Sequence, residues 1–199
     1  MDPDGKSPES ALLLIAHNRK AIHNASQKYQ VSSQAIASII FQEKYHGYFA
    51  EIKNFIAYSI DLGIDDNTPL KRSYGIGEMS IGLAGKLMGI NPNKKGSKNK
   101  IYNAITKNNS FAIELIAKNI ALTQKILKRK LNAKESAILH NAGIKGLRSY
   151  LKGDKLKGGV YDRSLNWQKS IKKALDGWID INADNPYYAP NETPYQIKK

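Results

Sequence analysis

Carboxylates on apolar helix faces are natural places for acid–base chemistry, and this chain carries one at position 43. Ile36, Ile39 and Ile40 recur at helical spacing, and the next member of that i, i+3, i+4, i+7 series is Glu43. Burial disfavours the ionised form of such a carboxyl and raises its pKa. A carboxylic acid that keeps its proton near neutral pH is what general-acid catalysis requires. The bland alternative is that Glu43 pairs with a lysine or ends at the domain surface. Further on, Ser73-Tyr74-Gly75-Ile76-Gly77-Glu78-Met79-Ser80 sets two glycines two apart, which predicts a tight irregular turn or a short extended piece. Other chemistry-bearing types are sparse. His17, His23, His46 and His140 are scattered, so no metal site is expected, and no glycine-rich nucleotide fingerprint is present. The absence of cysteine excludes disulfide scaffolds, thiolate metal sites and cysteine nucleophiles.

The elements that must position these residues read as helical nearly throughout. Ser7-Pro8-Glu9 is a helix start, with a capping hydroxyl, proline in the first turn and an acid facing the dipole. It predicts one helix to about Tyr29, with Leu12, Ile15, Ile22 and Ala25 inward. Ser32 or Ser33 caps the helix bearing Glu43, to about Tyr45. Phe49, Ile52, Ile56 and Ile60 suggest another helix, and residues 61–72 a loop with turn signals at Asp65-Asp66-Asn67-Thr68-Pro69. A short helix over Ile81–Met88 ends at Gly89, and another covers about 99–108. Ser110 is expected to cap a long helix to about Lys130. Asn132-x-x-Glu135 resembles a capping box opening a helix to about Asn141. Gly143 and Gly146 flank a turn before a helix with Leu147, Tyr150 and Leu151. Ser164 is expected to cap the last helix, with Leu165, Ile171, Leu175 and Trp178 as core candidates. The expected architecture is one mainly α domain over residues 1–182, with a short β-like turn at about 68–80 and an irregular tail at 183–199.

At 199 residues and 41% hydrophobic composition, the chain is sized for a single self-sufficient core. Its 31 Lys and Arg against 17 Asp and Glu give a net charge of +14. That charge is polarised. Residues 1–85 hold 8 basic and 9 acidic side chains, and residues 86–199 hold 23 and 8. A cationic surface attracts polyanions such as nucleic acid, an anionic membrane or a bacterial envelope, less strongly as salt rises. A merely solubilising surface is the alternative. Basic stretches fall at 94–100, 125–134 and 145–157, spread over helices and loops without a recognition motif, so nucleic acid is not the expected partner. The longest apolar runs, such as Leu12–Ala16, are far short of a membrane span. The acidic start Met-Asp-Pro-Asp-Gly lacks the marks of a secretory signal.

Four segments together resemble the lysozyme superfamily, most closely goose-type lysozymes and soluble lytic transglycosylases. They are AIASIIFQEKYHGYF, SYGIGEMSIGLAGKL, the pair Asn119-Ile120, and LHNAGIKGLRSYL at 139–151. Their order and spacing follow the family over about residues 31–152. The resemblance places Glu43 on the family's catalytic glutamate, and Ser73, Gly75 and Gly77 on its serine/glycine turn. Asn119 falls on an asparagine that faces the cleft, and Asn141, Ala142 and Gly143 on a Tyr-Asn-Ala-Gly segment. Two positions depart from the pattern. Glu78 stands where the family has glutamine, and His140 stands where it has a cleft-lining tyrosine.

The resemblance implies cleavage of peptidoglycan glycan strands, by a muramidase or a lytic transglycosylase, without a cofactor. Glycosidic cleavage needs a proton for the leaving oxygen and stabilisation of positive charge on the sugar. Glu43 is the implied acid. A transglycosylase can reuse one glutamate, whereas a hydrolase wants a second carboxylate, for which Glu78, Asp61, Asp65 and Asp66 are available. Gly75 and Gly77 are expected to let backbone approach a sugar, Tyr74 to stack on it, and His140 to donate a hydrogen bond. The pattern also resembles toxin-associated lysozyme-like domains. That implies an antibacterial effector or lysin, made in the cytoplasm and delivered to a target cell wall, with a possible cognate immunity protein. A basic helical nucleic-acid-binding protein and an inactive lysozyme fold used for binding are the alternatives.

Overall fold

In the computed structural model, which describes residues 7–45, 64, 66–154 and 164–178, helices follow one another around a central buried helix. The first is α1 (Pro8–His17), capped by the Ser7 hydroxyl, which accepts from the Ser10 amide. The single long helix expected up to Tyr29 is two helices. Asn18 closes α1 through its side-chain amide, which donates to the Leu14 carbonyl at 2.8 Å, and its own carbonyl accepts the first amide bond of α2 (Arg19–Tyr29) from Ile22. A short polar side chain competes with the backbone ladder in this way and breaks a run that apolar periodicity alone would join.

Ser32 caps α3 (Ser33–Lys44) through the Ala35 amide. Every residue from Ala35 to Gln42 is buried, so α3 is enclosed on all faces and has no single apolar stripe. It packs against α1, α2 and the last two helices. The expected helix carrying Phe49, Ile52, Ile56 and Ile60 lies outside the described residues, as do Asp61, Asp65 and the tail at 183–199.

The turn-rich segment is a β-hairpin. Strands β1 (Ser73–Tyr74) and β2 (Met79–Ser80) pair antiparallel, with Ser73 opposite Ser80 and Tyr74 opposite Met79. The loop closes through the Glu78 amide donating to the Gly75 carbonyl at 3.2 Å. Gly75 has φ +80°, which favours glycine. A methyl group there would meet the Ile105 carbonyl oxygen at 2.3 Å, and at Gly77 it would meet Ile116 Cδ1 at 2.4 Å. Both glycine Cα atoms therefore lie against the protein's own helices. The space saved on the Cβ side is used for core packing. Ahead of the hairpin, Lys98 is buried and donates to the Asp66 and Thr68 carbonyls, and the Asp66 carboxylate accepts from the Gly96 amide.

Ser80 leaves the hairpin as the cap of α4 (Ile81–Met88), which Gly89 ends. Then come α5 (Ser97–Thr106) and α6 (Asn109–Leu127). The cap of α6 is Asn108, whose side chain accepts from Phe111, two residues before the serine expected to do so. Asn132 and Glu135 form the full reciprocal capping box of α7 (Ala133–Leu151). The ladder of α7 breaks at Gly143, with φ 65° and ψ −176°, a conformation open chiefly to glycine. Ser164 is buried and makes no side-chain cap. A 3-10 turn (Leu165–Trp167) intervenes before α8 (Gln168–Asp176), where Ile171 and Leu175 are core but Trp178 is 42% exposed.

The last elements hold α3 in place. Gln168 donates to Ser38 Oγ and the Ser164 carbonyl, and accepts from Gln34. Trp167 stacks against Phe41 and Tyr45, with ring centroids 5.7 and 6.2 Å away. His23 reaches from α2 to the Leu175 carbonyl at the end of α8. Among the described residues no helix is long and apolar enough to cross a membrane.

Candidate active site

Three of the segments singled out in the sequence meet at the hairpin. Lys44, the last residue of α3, donates from Nζ to the Gly75 carbonyl at 3.0 Å. The same ammonium lies 3.8 Å from Glu78 Oε1, with the two side chains 28% and 19% exposed. From α7, His140 donates its Nε2 proton to the Gly77 carbonyl at 2.6 Å. The turn is thus gripped by a cation from one helix and an imidazole from another. The His140 proton is assigned to Nε2 because a carbonyl only accepts. Its Nδ1 is buried, without a hydrogen-bond partner among the described residues.

Glu78 sits where the grips converge. Its backbone is left-handed, with φ 42°, which glutamate rarely adopts. Holding a non-glycine residue there costs on the order of 1 kcal/mol or more. Beside it opens a cavity of about 240 Å³, whose polar lining includes Lys71, Ser73, Glu78, Ser80, His140 and Asn141. Met79 and Leu83 supply its apolar wall. Glu78 is the carboxylate in that lining. This mixture of two cationic or imidazole groups, two hydroxyls, an amide and a carboxylate suits a hydroxyl- and amide-rich ligand such as a sugar.

Glu43 stands one residue before Lys44, at the point where the fully buried run of α3 gives way to half-buried positions. Its Oε1 is buried, with almost no solvent contact. It does not belong to the lining of the cavity beside Glu78. The chain that follows Tyr45 lies outside the described residues.

The other expected site residues are placed as follows. Ser73, Glu78, His140 and Asn141 are brought together around the cavity. Asn141 is exposed and its amide donates back to Ala137. Tyr74 is packed edge-on against Tyr102 of α5 at 5.0 Å and lies under the Arg72 guanidinium, away from the cavity lining. Asn119 is half-buried on α6, one turn beyond the Ile116 that meets Gly77, and is not part of the lining. Asp66 is exposed and serves as the acceptor for Gly96. Among the described residues no group of three His, Asp or Glu is placed to hold a metal.

Two residues at the site had no flag in the sequence. Lys44 follows the singled-out glutamate, and only its distance to the hairpin shows that it reaches across. Lys71 falls in the predicted loop 61–72, yet it lines the cavity together with Glu78. The adjacency of a cation to a candidate acid at a helix end was the one available signal.

Compared with protein-family models, curated proteins and solved structures, the chain matches none.

Proposed function

We propose that this protein cleaves the glycan strands of peptidoglycan, with Glu43 as the general acid. The observation that carries the reading is the convergence of the resembling segments. The end of α3, the hairpin and the middle of α7 are tied to one another by Lys44 to Gly75 and His140 to Gly77. A proton donor for the leaving oxygen must resist ionisation, and a carboxyl with a buried oxygen at the end of an apolar helix meets that need. Glu78 has the complementary role. Facing the Lys44 ammonium at 3.8 Å, its carboxyl is placed to face positive charge on the sugar or to hold a water. Ser73, Ser80 and Asn141 supply hydrogen bonds for sugar hydroxyl and acetamido groups. The net charge of +14 favours adhesion to an anionic cell wall. A delivered antibacterial effector or lysin, opposed by an immunity protein that blocks the cavity, is the setting we infer from the same resemblance.

The test is mass spectrometry of digested peptidoglycan with the wild type and Glu43→Gln side by side. The expected result is loss of soluble muropeptides in the variant with its helical circular dichroism intact. Release at the wild-type rate would overturn the assignment. Products with reducing ends would make the enzyme a muramidase, and 1,6-anhydro ends a lytic transglycosylase with Glu78 in a secondary role.

A further inference from the structure

One ammonium group in the cavity beside Glu78 has no counter-ion among the described residues. Lys71 is part of the lining, and its side chain makes no hydrogen bond or ion pair there. Glu78 is the carboxyl of that lining, and it faces Lys44 at 3.8 Å. Two ammonium groups thus stand against one carboxyl, so the site keeps a positive charge whichever protonation state that carboxyl takes. The start of α4 adds to it. Its cap, Ser80, is in the same lining, and its first turn carries no acidic residue to offset the positive end of the dipole. An exposed lysine alone is ordinary. This one shares a concave site with two hydroxyls, an amide and an imidazole.

A volume of about 240 Å³ falls below that of pockets for drug-sized molecules and suits about one sugar ring. A neutral sugar would leave the Lys71 charge unused. A carboxylate on a short arm would meet it with a charge-assisted hydrogen bond. The wall of Met79 and Leu83 would take a methyl group on the same arm. In peptidoglycan, muramic acid carries such an arm, a lactyl group with one methyl and one carboxyl. Where a stem peptide is attached, that carboxyl is an amide and has no charge. The remaining carboxylates then lie out along the peptide, beyond a cavity of this size.

We propose that Lys71 is a specificity-determining residue that receives the free lactyl carboxylate of a muramic acid residue, so that the preferred substrate is glycan stripped of its stem peptide. The assignment rests on the cleavage of glycan strands proposed above and names its substrate class. It also sets an order of reactions. Hydrolysis of the amide between lactyl group and peptide must come first, with water giving its hydroxyl to the carbonyl carbon and a proton to the departing amine.

The experiment is an NMR titration of the full chain, read at the Ser73, Ser80 and Asn141 amides. The probes are N-acetylmuramic acid, the same sugar with its lactyl carboxyl in amide linkage to a dipeptide, and N-acetylglucosamine. The acid is expected to bind more tightly than either of the others by roughly fivefold, the upper end for an exposed ion pair. That preference should fade as salt rises. Lys71→Met should abolish it and leave the affinity for N-acetylglucosamine as it was, and Lys71→Arg should keep it. Melting curves establish that both variants are folded. No binding of the acid, equal binding of acid and N-acetylglucosamine, or a preference that survives Lys71→Met would overturn the assignment. Equal binding of the dipeptide conjugate would also overturn it, placing the recognised carboxylate on the peptide. Binding is read without turnover. A chain that prefers the acid yet releases no muropeptides would refute the cleavage and not this assignment, and one that cleaves glycan without the preference would do the reverse.

Discussion

The left-handed backbone of Glu78 gives a direct measure of how firmly the hairpin is held. At a residue with ordinary negative φ, alanine is more stable than glycine by about 0.4–1 kcal/mol, because glycine loses more freedom on folding. At φ 42° the order should reverse. A non-glycine residue there carries roughly 1–2 kcal/mol of steric cost, which glycine avoids. Subtracting glycine's larger entropy loss, roughly 0.5–1 kcal/mol, leaves Glu78→Gly more stable than Glu78→Ala by about 0.75 kcal/mol, the middle of a span of roughly 0–1.5 kcal/mol. Both variants remove the same interaction with Lys44. That pair is 3.8 Å apart and partly exposed, so its loss costs each about 0–1 kcal/mol and cancels in the comparison. In a chain of this size the expected gap in melting temperature is about 1–4 °C, the glycine variant higher. Thermal and urea unfolding followed at the helical circular dichroism band will read it. If the proposed glycan cleavage uses Glu78, peptidoglycan digestion should fall equally in both, since neither keeps the carboxylate. An alanine variant as stable as the glycine variant, or more so, would refute the claim that Glu78 is held in place against its backbone preference.

Other perturbations probe the supports around it. Gly75→Ala should cost about 2–4 kcal/mol, because its methyl group meets the Ile105 carbonyl oxygen at 2.3 Å, whereas Gly89→Ala, open on all sides, should cost only about 1 kcal/mol; urea unfolding that gives equal losses would deny the packing role. Lys98→Met leaves the Asp66 and Thr68 carbonyls without their donor and should destabilise by about 1–3 kcal/mol, with faster amide exchange in residues 66–70 as the local sign. Lys28 has its pKa raised above the usual lysine value by its hydrogen bond to Glu114. Glu114→Gln should bring that midpoint down in an NMR titration. With the folded pKa above the unfolded one, whatever stability the pair gives is full below the unfolded value and lost as pH climbs through the folded one. A Lys28 midpoint that ignores Glu114→Gln would remove the pair as its cause.

Much of the scaffold was legible because it is written in local chemistry. The Ser7 and Ser32 caps, the Asn132–Glu135 box and the Gly89 stop each act within one turn of chain, and each appears where the sequence puts it. Misreadings arose where local signals compete or where distant partners decide. Asn18 breaks a helix that apolar spacing would continue, and Asn108 takes the cap from Ser110, a position the serine pattern hid. Trp178 looked like core by type, but α8 ends at Asp176 and leaves it half in solvent. The site was harder still. The spacing of Gly75 and Gly77 announced a special backbone correctly, yet its beneficiaries are Ile105 and Ile116, more than twenty-five positions away. Nothing near Lys44 in the chain shows that its ammonium reaches a hairpin carbonyl.

That reach changes what the hairpin is. Two of its four loop carbonyls, at Gly75 and Gly77, are bound by side chains from α3 and α7, and the same Lys44 that binds one of them faces Glu78. Shifting α3 along its axis would therefore move Glu43, the turn and the charge opposite Glu78 together. His140 completes the arrangement in a way a phenol could copy only in part. Its Nε2 proton serves the Gly77 carbonyl at 2.6 Å, and its second nitrogen lies buried behind. His140→Phe removes the donor and keeps a ring of similar bulk. Left without its donor, the Gly77 carbonyl costs about 1–3 kcal/mol if it stays dry. Under the proposed cleavage of glycan strands, activity should fall further than stability does, because a loosened turn displaces Glu78 from its place beside the cavity. A fully active His140→Phe enzyme with an unchanged melting curve would show that the imidazole neither holds the turn nor serves the cavity.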